Sequence, residues 1–164
     1  SRPVARRSSL SVRAHKVGES SYILKDRAGA LANYPHAHRA GDLLFVSGVS
    51  SRRPDGTHVG VTIDDDGQVT KDIAAQTRAV IENIGVILEA AGCRLKDLVD
   101  LTVFLVDMRD YGGMNAVYNE FFDAATGPAR TTVAVAELPH PNLLIEIKVV
   151  AAMPDASESG GRDE

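Results

Sequence analysis

The segment LVDLTVFLVDM (98–108) limits what this chain can fold into more than any other stretch. It has the character of a β-strand, and apart from Asp100, Thr102 and, near its end, Asp107 it is apolar on both faces. Strand side chains alternate with period two. Leu101, Val103 and Leu105 therefore point one way, while Phe104, Val106 and Met108 point the other. Such a strand has to be covered on both sides. The sequence offers two helices for that purpose. In the first, Ile73, Thr77, Val80, Ile81, Ile84, Leu88 and Ala91 recur at helical spacing. Asp72 stands at its N-cap and Gly92 at its end, with Gln76, Arg78, Glu82 and Glu89 on the outward face. In the second, Asp110 is the N-cap, and Tyr111, Met114, Tyr118, Phe121 and Phe122 form the inward stripe before the Gly127-Pro128 break.

The remaining strands fall on either side. HAHRAG followed by DLLFVSGVSS is a hairpin about Gly41-Asp42, with Leu44 and Val46 alternating against Leu43, Phe45 and Ser47. Residues 52–72, with PDG and DDDG, are a long loop or an irregular edge hairpin. GPARTTVAVAEL (127–138) and LLIEIKVVAAM (143–153) are two strands joined by a proline-bearing loop. The order is ββαβαββ, an α+β domain. Right-handed crossovers place both helices on the same face of the sheet. The other face is then bare and apolar, which marks an interface; the expectation is an oligomer.

Bulk properties bound the function. At 164 residues and 44% hydrophobic, the chain is sized for one domain with a real core. A formal charge of −4 argues against a nucleic-acid binder. The single Cys93 excludes an internal disulfide, and no CxxC or Cys/His cluster suggests zinc. No apolar run is long enough to span a bilayer, and a soluble cytoplasmic protein with no membrane partner is the expectation. Residues 1–27 have the composition of a mobile basic arm; SRPVARRSSLSVRAHK lacks the amphipathic periodicity of a transit peptide. Residues 28–154 are expected to form the single folded domain, and 155–164 a disordered polar tail.

Two charges stand out in the last two strands: Arg130 at the start of one and Glu146 in the middle of the other. A charge in an apolar strand is costly unless it is paired, hydrated or used. If Thr131, Val133 and Val135 lie under the helices, as Ile145, Ile147 and Val149 do, Arg130 and Glu146 share the helix-free face. The small neighbours Thr132 and Ala134 leave room for a ligand. A guanidinium and a carboxylate in a cleft between subunits can bind a small carboxylate and activate a water. A structural ion pair across the interface is the alternative. His36 and His38 lack a third metal ligand at useful spacing, Cys93 is a small filler, and Asp64, Asp65 and Asp66 make a solvated loop.

Taken in order, GDLLFVSGVS, QTRAVIENIGVILEAAG, LVDLTVFLVDMRDYGGMNAVYNEFF, GPARTTVAVAELP and LIEIKVVA resemble the Rid (reactive intermediate deaminase, YjgF-type) family, from about Tyr34 to Met153. The resemblance implies a chorismate-mutase-like α+β fold and a homotrimer with active sites in the clefts between subunits. It also implies hydrolysis of enamines or imines of 2-oxo acids, releasing ammonia without metal or organic cofactor. By the same resemblance Arg130 of the PAR motif holds the substrate carboxylate and Glu146 of the IEI motif orients water. Asn115, Ser47, Gly48 and Tyr34 would position the substrate. His36 stands where the family has a small polar residue. Thr132 stands where a cysteine is common, so a thiol is not required. Arg52 and Arg53 add charge near the expected cleft mouth. The combination YPH, GDLLFVSG and SSRRPDG is most similar to family members that deaminate 2-aminomuconate to 4-oxalocrotonate in aromatic catabolism. For that dicarboxylate Arg52, Arg53 or His36 would be a second anchor, a solvated turn being the alternative for the arginines. A general 2-iminoacid deaminase and a non-catalytic metabolite-binding regulator are the rival functions.

Overall fold

The computed structural model describes residues 10–14 and 19–155. Among them the chain forms β1 (Leu10–Ala14), β2 (Glu19–Leu24), β3 (Ala37–Ala40), β4 (Leu43–Val49), β5 (Val61–Ile63), β6 (Val69–Lys71), α1 (Ile73–Ala90), β7 (Leu98–Leu105), α2 (Tyr111–Phe121), β8 (Ala129–Ala134) and β9 (Ile145–Ala152). Seven strands build one mixed sheet in the order β1-β2-β3-β4-β9-β7-β8, and β5 pairs with β6 separately. Only β7 and β8 run parallel, as their connection through α2 requires.

Local chemistry accounts for the boundaries. The β3–β4 hairpin turns at Gly41, whose φ of 61° suits glycine. Asp72 caps α1 by accepting the Ala75 N–H at 3.0 Å. At the other end Gly92, at φ 83°, takes the left-handed turn out of the helix. The residues of α1 at helical spacing are buried: Val80, Ile81 and Leu88 are 0% exposed and Ile84 1%. They cover Leu44 and Val46 of β4, Leu101, Val103 and Leu105 of β7, and Ile145, Ile147 and Val149 of β9 in one core. Cys93 is buried as a filler, with its thiol 3.5 Å from the Met153 sulfur. Its pKa is pushed up mainly by burial.

Several expectations change. The sheet begins well before Ala28. β2 pairs with β3, and its Tyr22 and Leu24 join the core, so residues expected in a mobile arm are structural. The Arg and Ser content of 1–27 hid a short alternating strand. The rest of that arm, 1–9 and 15–18, and tail residues 156–164 lie outside the described residues. Gln76, placed on the outer face of α1, is 0% exposed. Its amide donates to the Asn142 carbonyl at 2.8 Å and accepts the Leu144 N–H at 2.9 Å, pinning the entry to β9. Asp110 precedes α2 without a side-chain cap bond. Asp107 instead accepts the Arg109 N–H at 2.8 Å, where a 3₁₀ turn leads into the helix. Met114 and Tyr118 face inward as expected, but Tyr111 does not, being 41% exposed.

The helix-free face is apolar, as the sequence indicates. Antiparallel register places Phe45 beside Val150 and Phe104 beside Glu146, and the β7–β8 register places Val133 next to Phe104. Phe45 and Val133 are each 39% exposed. A bare face of this kind is stable in water when a second copy covers it. Light scattering is expected to give a mass well above the 17.5 kDa of one chain, close to three chains. Phe45→Glu, which places a charge on that face, should shift the protein toward single chains. A wild-type mass of one chain would contradict this reading of the face.

Candidate active site

The candidate carboxylate sits where the sheet is irregular. Val46 pairs with Val149 and Val49 with Ile147, so three steps along β4 oppose two along β9. The bulge falls at Ser47-Gly48, over Glu146. Bulges re-aim the chain at such places. A Cβ built on Gly48 would overlap the Glu146 carboxyl group, so only glycine allows this approach. The Ser47 hydroxyl donates to the Pro35 carbonyl at 2.7 Å, and its N–H donates to the His36 carbonyl at 2.9 Å. These bonds tie the bulge to the segment that carries Tyr34. Glu146 is half-buried and has no ion-pair partner among the described residues. Burial lifts its carboxyl above the usual range, because desolvation disfavours the charged form.

Glu146 opens on a cleft of about 530 Å³, walled also by Tyr34, Ser47, Gly48, Arg52 and Lys148. His58 and His140 close one side with their rings 4.4 Å apart and 31° from parallel. His58 is 6% exposed with Nε2 unpartnered. Its pKa is lowered first by burial, then by His140, Arg52 and Arg53.

Arg130 lies elsewhere. It pairs in register with Leu101, and Thr132 with Val103. Parallel partners share a face, so Arg130 and Thr132 lie on the helix side of the sheet. The contacts agree. The Arg130 guanidinium donates to Asn115 Oδ1 at 2.8 Å and to the Tyr111 hydroxyl at 3.3 Å. It also stands 4.6 Å from the Tyr118 ring centroid. All three partners belong to α2. The expectation that Arg130 and Glu146 share the helix-free face is therefore corrected. Bulk misled it: Val133 and Val135 are larger than Thr132 and Ala134, but β8 is the edge strand, where large residues stay exposed. Within one chain the guanidinium and the carboxylate occupy opposite faces.

The structure thus divides the expected residues. Tyr34, Ser47, Gly48, Arg52 and Glu146 line the cleft. Arg130, Asn115 and Thr132 cluster at β8 and α2, with Thr132 Oγ1 buried and unpartnered. His36 belongs to neither group as a ligand. Its Nδ1 accepts the Leu24 N–H at 3.2 Å and its Nε2 lies 3.1 Å from the Ala28 carbonyl, so both nitrogens are committed to backbone. Arg53 is exposed and donates to Thr57 Oγ1 at 3.1 Å. Sequence reasoning missed Tyr111 and Tyr118, read as core, and the His58–His140 pair. The tyrosines carried a signal: their spacing with Asn115 puts all three on one side of α2. The histidine pair, 82 residues apart in sequence, carried none. Among the described residues no group of His, Cys, Asp and Glu could hold a metal ion, and no helix is long and apolar enough to cross a membrane.

The Gly48–Glu146 contact makes a sharp prediction. Gly48→Ala should displace the Glu146 carboxyl group, the end of a flexible side chain, while changing stability in denaturant melts by less than about 1 kcal/mol. A larger loss, not relieved in the double variant Gly48→Ala/Glu146→Ala, would mean that backbone has to move and would contradict this account of the contact.

Comparison with known proteins places this geometry. The family model described as Endoribonuclease L-PSP matches residues 24–153. Reactive Intermediate Deaminase A, chloroplastic, of Arabidopsis thaliana is 35% identical over 146 residues, 88% of this chain and 72% of that one. The 2-iminobutanoate/2-iminopropanoate deaminase of Escherichia coli is 45% identical over 87 residues, 52% of this chain and 67% of that one. The crystal structure of E. coli TdcF with bound serine superposes with a TM-score of 0.64 at 30% identity, covering 79% of this chain and 94% of that one. Fold, sequence match and relatives agree: the chain belongs to the Endoribonuclease L-PSP (Rid, YjgF-type) family.

Proposed function

We propose that the protein hydrolyses the imine of a small 2-oxo acid, or its enamine tautomer, at a site completed by two neighbouring chains. One chain supplies Arg130 and Thr132 from the β8 edge and Asn115 from α2. The other supplies Glu146, Gly48, Ser47 and Tyr34 from the cleft. The observation that carries this reading is Glu146: half-buried, without an ion-pair partner, titrating high, and held against a glycine bulge that faces a cleft. A general base poised in that way suits activation of water. The printed names of the Arabidopsis and E. coli relatives, both deaminases, point the same way. A cytoplasmic setting and a homotrimer are part of the proposal.

Arg130 binds the substrate carboxylate, which fixes the adjacent C=N carbon. Glu146 accepts a proton from water as the water oxygen bonds to that carbon of the protonated imine. The resulting carbinolamine takes this proton onto nitrogen, the C–N bond breaks as the hydroxyl proton passes to Glu146, and the products are ammonia and a 2-oxo acid. A finer substrate reading is 2-aminomuconate, a dicarboxylate. It is favoured by Arg52, which reaches the cleft and has no carboxylate partner among the described residues. A net charge of −4 disfavours an RNA backbone as substrate.

Ammonia release from 2-iminobutanoate, generated in situ, tests the reading. Arg130→Ala should lower kcat/KM by roughly 100-fold with the assembly intact. Glu146→Gln should lower kcat by about 10²–10⁴-fold with little change in KM. The base works deprotonated and its pKa is raised, so the acid limb of kcat/KM should stand above the ordinary Glu value of about 4.3 and disappear in Glu146→Gln. The same shift has a stability sign. The folded state holds the Glu146 proton to higher pH than the unfolded state, so stability falls as pH rises through that window. Wild-type turnover by either variant would remove that residue from the mechanism.

A further inference from the structure

We infer that a second cavity, adjoining the cleft, is a carboxylate subsite anchored by Arg27, which selects 2-imino acids bearing another acidic group at the far end of the chain. This rests on the deaminase reading above and adds to it the cavity and the residue, Arg27, that would hold the far carboxylate. The cavity measures about 170 Å³. Its wall and that of the cleft share Tyr34, Ser47, Gly48 and Arg52, so one extended ligand can occupy both.

Its charge is one-sided. Arg27, Arg52 and Arg53 line it, and no Asp or Glu does. None of the three arginines forms an ion pair with a described residue. Arg52 donates to the Gly29 carbonyl and Arg53 to Thr57 Oγ1, both neutral acceptors. Asp55, the acid nearest to Arg53 in sequence, is hydrogen-bonded to Thr57, the main cause of its lowered pKa; Arg53 helps to lower it without forming an ion pair with it. Arg27 is the least satisfied. Its Nη1 reaches Asn83 Oδ1 at 3.4 Å, and its Nε is buried with no partner. Ser51, 0% exposed, also has an unpartnered hydroxyl in the same wall. Arg27 is half-buried, and a guanidinium partly withdrawn from water gains from a carboxylate partner. With Arg52 and Arg53 on the same wall and no acidic side chain among the lining residues, the cavity suits an anion from outside. The rest of the wall sets its shape: Val49, Val59 and Ile87 are apolar and suit a hydrocarbon linker. The cavity volume is several times the roughly 30 Å³ share of one water, enough for a carboxylate and a short stem.

Calorimetric titration of the assembled protein with 2-oxoadipate and 2-oxohexanoate tests this. The two share a chain length and differ in the terminal carboxylate. Wild type should bind 2-oxoadipate at least about tenfold more tightly. Arg27→Gln should bring the ratio close to one, and Arg27→Lys, which keeps the charge, should restore part of it. Should Arg27→Gln fail to fold, Arg53→Gln on the exposed wall should still lower the ratio. A wild-type ratio near one, or a ratio unchanged in the variants, overturns the subsite. Binding needs no turnover, so the two readings separate. An Arg27-dependent preference without ammonia release would sink the reaction and leave the subsite. Ammonia release without the preference would do the reverse.

Discussion

One sheet separates the two charges on which the proposed chemistry depends. Arg130 projects toward α2 and Glu146 projects from the opposite face, and period-two alternation fixes both directions. No side-chain motion brings them together within a chain. A guanidinium and a carboxylate that are to act on one substrate must therefore come from different copies. The edge position of β8 and the apolar open face supply the means. The edge strand presents Arg130 at a rim that a neighbour can reach, and Phe45, Phe104 and Val133 give that neighbour a reason to stay.

The cost of leaving these charges unpaired sets the rest of the design. Glu146 is half-buried without an ion-pair partner, and its raised pKa is the direct expression of that cost. The fold offsets it around the site. Gln76 fixes the start of β9, Ser47 ties the bulge to Pro35 and His36, and Gly48 admits the carboxyl group against backbone. Arg130 is treated differently: Asn115 and two tyrosine rings hold it in place while leaving it without a counter-charge. Such support is what a preorganised site needs.

Much of this was legible in the sequence because the signals were local. The Gly41-Asp42 turn, the Asp72 cap, the α1 stripe and the two-sided strand each follow from spacing and residue type, although that strand, read as 98–108, ends at Leu105. Both charges could be picked out for the same reason. What could not be read was direction at an edge. Side-chain bulk assigned the buried face of β8 wrongly, because residue size predicts burial only where something stands above the strand. Nor could spacing show that Gln76 would be buried, since its partners Asn142 and Leu144 lie more than sixty residues away. The strand inside the N-terminal segment was masked by composition. His36 looked like a ligand until its backbone bonds showed both nitrogens in use.

Complementation between inactive variants tests the two-chain site most directly. Arg130→Ala keeps Glu146, and Glu146→Gln keeps Arg130. Co-refolded in equal amounts, the two variants should place an intact Arg130 opposite an intact Glu146 in about one quarter of the clefts, restoring a like fraction of wild-type deamination. A mixture no more active than the variants apart would mean that each site lies within one chain.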